Sequence, residues 1–119
     1  MSVFARLMTV ATGAVLFSMS VAASAEDYPV FVIEFKDGAI SPPAIEVPAG
    51  TRFKLELRNT GGSPVEFESI ELRKEKVLGP GVTSFIVIRS LDPGEYRFFD
   101  DFHLDMPPAT LIAREPATP

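Results

Sequence analysis

From residue 28 onward, apolar and polar side chains alternate with a period of two in one short segment after another. Residues 28–36 put Phe31, Ile33 and Phe35 on one face and Val32, Glu34 and Lys36 on the other, the pattern of a half-buried strand. Asp37-Gly38 ends it with turn-forming residues. Ser41-Pro42-Pro43 then predicts a kinked connection, because proline fixes the chain direction and brings no ladder donor. Residues 44–47 predict a short strand with Ile45 and Val47 inward, turned by Pro48-Ala49-Gly50. The strongest alternation is at 52–59. There Phe53, Leu55 and Leu57 face a core, and Arg52, Lys54, Glu56 and Arg58 face water.

Residues 59–64 are turn formers, and 65–69 alternate again, with Val65 and Phe67 inward and Glu66 and Glu68 outward. Residues 70–77 carry Glu71, Arg73, Lys74, Glu75 and Lys76 and fit either a strand or a turn of helix, broken by Gly79-Pro80-Gly81. Phe85, Ile86, Val87 and Ile88 run consecutively within 83–90, which predicts a central strand covered on both faces. Asp92-Pro93-Gly94 turns into a strand over 95–99, and 110–113 closes the fold. No amphipathic helix longer than two turns is indicated. About seven or eight short strands separated by turn signals predict an all-β fold, an antiparallel sandwich or barrel, with no repeat and no second domain.

The first 25 residues follow another pattern. After Arg6 comes an apolar run over 7–17, too short to span a bilayer, and Ala23-Ser24-Ala25 offers a small-x-small cleavage pattern before Glu26 and Asp27. The expectation is a secretory signal cut after Ala25, with an uncleaved anchor as the alternative. A domain over 26–114 and a disordered tail over 115–119 would follow. Losing 25 residues, of which only Arg6 is charged, takes the chain from 119 to 94 residues and the formal charge from −5 to −6. An acidic surface argues against nucleic acid or anionic lipid as the partner and is compatible with cations. Cysteine is absent, which excludes disulfides, a lipid-attached cysteine, a thiolate metal ligand and thiol catalysis.

Candidate chemistry concentrates at 96–106, YRFFDDFHLDM, which holds the single histidine, His103, with Asp100, Asp101, Asp105 and Met106. A loop that gathers imidazole, carboxylate and thioether between two strands is a candidate metal loop. The same residues equally make an acidic turn with one exposed histidine. No serine motif or cysteine supports a nucleophilic triad around that histidine. Zinc-protease, phosphate-loop and dinucleotide motifs are missing, and a small sandwich is a poor glycosidase.

The order of strands and loops resembles a cupredoxin. The likeness rests on Val47-Pro48-Ala49-Gly50 leading into Phe53-Lys54-Leu55, on Asn59-Thr60-Gly61 followed by Pro64, and on Pro93-Gly94-Glu95-Tyr96-Arg97-Phe98 before the loop. It implies a Greek-key antiparallel β-sandwich over the whole exported domain. Asp100-x-x-His103-x-x-Met106 matches the shortest blue-copper ligand loop, cysteine-x-x-histidine-x-x-methionine, with aspartate in place of cysteine. The histidine that those proteins carry after the asparagine loop is also missing, and Val65-Glu66-Phe67-Glu68 stands there. A blue-copper electron carrier is therefore rejected.

More narrowly, the chain resembles EfeO-type cupredoxin-like domains and the small cupredoxin-like proteins that accompany periplasmic iron-uptake permeases. The matching positions are Glu66-Phe67-Glu68, Arg73-Lys74-Glu75-Lys76 with Pro80-Gly81, and Phe99-Asp100-Asp101-Phe102-His103. That resemblance implies a periplasmic protein handling copper or iron beside an inner-membrane iron permease or a periplasmic iron-binding protein. On the cupredoxin topology, His103 with Asp100 or Asp101, completed by Glu66 or Glu68, makes a mixed nitrogen and oxygen site for copper or iron. Glu66, Asp100 and His103 lead this ligand set, Glu68 and Asp101 follow, Glu75 is the outlier, and Met106 is either a weak axial ligand or an apolar plug. Such a site would bind the ion, deliver it, or assist Fe(II) oxidation. The alternative is a metal-free recognition module that docks through the acidic loop and the Arg73-Lys74-x-Lys76 patch. A copper chaperone is the weakest reading, with Met106 the lone sulfur near the loop.

Overall fold

Nine strands and no helix make up the regular structure of residues 28–117, the residues that the computed structural model describes. The first sheet has the order β2 (Ala39–Ser41), β1 (Val30–Lys36), β4 (Phe53–Asn59), β7 (Thr83–Ile88). The second has the order β3 (Ala44–Pro48), β9 (Ala109–Arg114), β8 (Gly94–Asp100), β5 (Val65–Ser69), β6 (Lys74–Leu78). This is an all-β sandwich. The expected signal segment over 1–25 lies outside the described residues, as do 118 and 119 of the expected tail.

The alternation read from the sequence decides which side of each strand is buried. Ile33 and Phe35 of β1, Phe53, Leu55 and Leu57 of β4, and Val65 and Phe67 of β5 are all fully buried between the sheets. Phe67 ties the layers together: it meets Phe35 edge-on at 6.4 Å and stacks on Phe98 at 5.1 Å between ring centroids. Burying one such ring stabilises the fold by about 3 kcal/mol.

Two of the ladders are parallel, β1 with β4 and β3 with β9, within a sandwich expected to be antiparallel throughout. The cause lies at Ser41-Pro42-Pro43. There the chain leaves the first sheet after β2, passes a cis Ser41–Pro42 peptide, and enters the second sheet as β3. Returning as β4, it runs beside β1 in the same direction. Three-residue β2 is too short to carry a periodic signal.

Two further expectations change. Residues 83–90 do not form a central strand, since β7 is an edge strand of the first sheet. Only Ile86 and Ile88 are buried there, while Phe85 and Val87 are exposed on the outer face. The ambiguous stretch 70–77 divides into a turn at 70–73, closed by an Arg73 N–H to Ile70 carbonyl bond of 3.2 Å, and then β6. Arg73 takes a left-handed φ of 54° in that turn.

Candidate metal centre

Strand β5 buries Val65, Phe67 and Ser69, so Glu66 and Glu68 project from the outer face of the second sheet. Neighbouring β8 buries Phe98 and Asp100, so Phe99 faces outward. The register pairs Phe67 with Asp100 and Glu68 with Phe99. One residue further on, the Asp101 N–H donates to the Glu66 carbonyl at 2.9 Å. Asp101 is thereby fixed beside the two glutamates. Carboxylate oxygens of Glu66, Glu68 and Asp101 lie within 4.8 Å of one another. From the other side, β6 places Glu75 directly opposite Glu68.

This crowding changes the acidity of the glutamates. Burial, then the charges of Asp101, Glu75 and Asp100, hold Glu66 above the ordinary glutamate range. Burial leads for Glu68 too, followed by the charges of Asp101, Glu66 and Glu75 and a hydrogen bond with Asp101, all raising it. Negative charge concentrated in this way is relieved by a proton or by a cation.

The leading ligand candidates behave differently. Asp100 is only 2 % exposed and accepts three hydrogen bonds. Its Oδ1 takes the backbone N–H groups of Glu66 and Phe102, both at 3.0 Å. Its Oδ2 lies 2.7 Å from His103 Nδ1. The other imidazole nitrogen, Nε2, faces Ser63 Oγ at 3.4 Å, and the Ser63 hydroxyl donates to Asp37 Oδ1 at 3.2 Å. Asp37 Oδ1 also accepts the Gly62 N–H at 3.0 Å. Backbone bonds from the His103 N–H to the Asp100 carbonyl and from the Met106 N–H to the His103 carbonyl wind the loop into two tight turns.

The expected ligands thus divide into two groups. Glu66, Glu68 and Asp101 converge on the outer face, and Asp100 and His103 pair with each other at the loop. Among the described residues, no cluster of three or more acidic or histidine ligand groups includes His103. Met106 packs toward the β1–β2 turn, where a Cβ built on Gly38 would come 2.8 Å from Met106 Cγ. Sequence reading missed Ser63, which faces His103, and Asp37, which accepts from Ser63; their meeting depends on three loops converging at one end of the sandwich. It also underrated Glu75, although folding 65–78 as a hairpin was enough to set Glu75 against Glu68.

The Cupredoxin-like domain family matches residues 9–113 of the chain. An uncharacterized protein of Rickettsia prowazekii (strain Madrid E) is 35 % identical over 83 residues, which cover 70 % of this chain and 66 % of that protein. The chain therefore spans just under two thirds of that relative's length. Among solved structures, a copper binding protein in the apo form superposes with a TM-score of 0.64 at 16 % identity, covering 75 % of this chain and 90 % of its own. The metal binding domain of the Cu(I)-exporting P-type ATPase CopA of Streptococcus pneumoniae D39 gives 0.63 at 16 % identity, with coverage of 72 % and 85 %. A purple cupredoxin from Nitrosopumilus maritimus gives 0.53 at 17 % identity, with coverage of 70 % and 98 %. At such identities the superpositions speak for the sandwich alone, and the family match spans nearly the whole sequence. The chain belongs to the cupredoxin-like domain family.

Proposed function

We propose that this chain is a metal-binding cupredoxin-fold protein that holds copper or iron through carboxylate oxygens, without a thiolate, in the service of periplasmic iron uptake. The observation that carries the reading is the convergence of Glu66, Glu68 and Asp101 oxygens within 4.8 Å. Two of these groups are held above the ordinary glutamate range by burial and by their neighbours' charges. A cation relieves that repulsion, and the strands hold the donors in place before it arrives.

A thiolate copper centre does not fit this chain. It has no cysteine, and Asp100, at the cysteine position of the ligand loop, has its oxygens engaged by two backbone N–H groups and an imidazole. The outer-face carboxylates do fit a hard cation. Oxygen donors of this kind stabilise Fe(III) over Fe(II), the chemistry a bound ion would supply here. Delivery of that ion to an inner-membrane iron permease or a periplasmic iron-binding protein is part of the proposal. It is supported by the acidic charge of the chain and by the export signal read in the sequence. A metal-free docking module is the competing reading, favoured by the exposed Phe102 and Leu104 of the loop.

Calorimetric titration with Cu(II), and anaerobically with Fe(II), decides between them. About one equivalent is expected to bind, with affinity at least ~10-fold weaker in a Glu66→Gln/Glu68→Gln variant. Absence of stoichiometric binding by the unmutated protein overturns the metal reading and leaves the docking module.

A further inference from the structure

We infer that Asp100 and His103 are not metal ligands but a metal-free clasp that positions the outer-face carboxylates. The inference takes up the carboxylate-site reading and assigns a role to the pair behind it.

Three segments are tied together around the imidazole: the β8–β9 loop through Asp100 and His103 itself, the β4–β5 loop through Ser63, and, by way of Ser63, the β1–β2 turn through Asp37. Where Asp100 Oδ2 accepts from Nδ1–H, that nitrogen has no lone pair left for an ion. In that tautomer Nε2 keeps its lone pair, since the Ser63 hydroxyl facing it gives its proton to Asp37. What sets it apart from the carboxylate site is position, because no cluster of three or more acidic or histidine ligand groups among the described residues includes His103. Asp100 Oδ1 is taken by two backbone N–H groups. Breaking this set to admit an ion would strand those two donors in a site where Asp100 is almost fully buried.

The same bonds reach the carboxylate site directly. Asp100 Oδ1 holds the Glu66 N–H, and the Asp101 N–H returns to the Glu66 carbonyl, so the backbone of two of the three carboxylate residues is pinned around Asp100. His103 fixes the orientation of Asp100, and through it the relative placement of Glu66 and Asp101. Oriented hydrogen bonds behind a metal ligand typically change its affinity by ~10–100-fold when lost.

The test compares unmutated protein, His103→Ala, His103→Asn and Ser63→Ala. The asparagine amide offers a donor near the position of Nδ1 but no imidazole nitrogen. In metal-free protein, His103→Ala is expected to accelerate hydrogen exchange at the Glu66 and Phe102 amides by ~10-fold or more, with Asn largely restoring protection. Ser63→Ala should give a smaller acceleration. With Cu(II) bound, affinity should fall ~10-fold in His103→Ala and return to within ~3-fold in His103→Asn. Pulsed EPR of the unmutated Cu(II) protein should then show no imidazole nitrogen coupling. Imidazole coupling, equal losses in Ala and Asn, or unchanged exchange in His103→Ala would each overturn the clasp. If no metal binds at all, the carboxylate reading fails while the exchange measurements still decide the clasp. Should His103→Ala not fold, the Asn and Ser63→Ala proteins carry the exchange comparison.

Discussion

Glu68 stands directly opposite Glu75 in the antiparallel β5–β6 ladder. Like charges facing each other across a strand pair oppose folding, and Asp101 and Glu66 add to the same repulsion at Glu68. Glu75→Gln is therefore expected to raise the melting temperature of the metal-free protein by a few degrees. The same change should weaken cation binding several-fold, because it removes charge that attracts the ion. Thermal scans with and without Cu(II) check both. A variant that stabilises the empty protein and loses affinity separates repulsion at a binding site from an ordinary surface effect.

The raised acidities of Glu66 and Glu68 fix the sign of a pH dependence. Both groups have native values above the ordinary 4.5. Below the ordinary value they are protonated in native and unfolded chains alike and impose no penalty. As pH rises through the native values, the unfolded chain has already released these protons, while the native site must ionise against burial and Asp101. Their contribution to stability is therefore lost as pH rises. The Glu66→Gln/Glu68→Gln protein should gain melting temperature relative to the unmutated one as pH rises above the ordinary 4.5. Cation affinity should move the opposite way, strengthening with pH, since ligating carboxylates must be deprotonated. Melting curves and titrations over that range check the two slopes.

Much of this architecture was legible because it rests on local alternation. Phe53, Leu55 and Leu57 announce β4, and Val65 and Phe67 announce β5, with Glu66 and Glu68 necessarily on the other face. The apolar run at 85–88 misled because its composition gives no information about sheet order. At an edge of the first sheet, Phe85 and Val87 stay exposed, and the Phe85 ring lies 5.9 Å from Lys54 Nζ. At the site, spacing placed Asp100, His103 and Met106 on one loop but could not show that Asp100 turns inward while Asp101 turns out. That difference follows from the pleat of β8, in which Phe98 and Asp100 share the buried face. Ser63, which faces His103, and Asp37, which accepts from Ser63, come from loops 40 or more positions upstream, and no periodicity reports such a meeting.

Asn59 holds the loop that presents Ser63. It is 2 % exposed, and its Nδ2 lies 2.8 Å from the Ser63 carbonyl, 3.1 Å from that of Leu78 and 3.0 Å from that of Gly79. Its Oδ1 accepts the Gly61 N–H at 3.1 Å. Asn59→Ala removes all four bonds, leaving the Gly79 carbonyl only the Val82 N–H at 3.1 Å, and should destabilise the protein by about 3 kcal/mol. Asn59→Asp is expected to do no better, since it sets an acceptor against three carbonyls. Urea unfolding of both variants checks the size, and hydrogen exchange at Gly61 checks that the loss begins in this loop.

Glycines with positive φ offer a graded test of how tightly the loops converge. Gly50 has φ 72° and nothing within 4 Å of a built Cβ, so Gly50→Ala should carry only the backbone penalty, about 1 kcal/mol. Gly38 has φ 90°, and its Cβ would come 2.8 Å from Met106 Cγ and 3.0 Å from His103 Cβ. Gly38→Ala should therefore destabilise by about 2–4 kcal/mol, the backbone penalty plus the displacement of the His103 loop. The methionine side chain is partly exposed and able to yield, whereas His103 is held by Asp100. Adding Met106→Ala should accordingly recover only part of the loss, about 1 kcal/mol in a double-mutant cycle measured by urea unfolding. Full recovery would locate the strain in Met106 alone and show that the His103 loop gives way more easily than its hydrogen bonds imply.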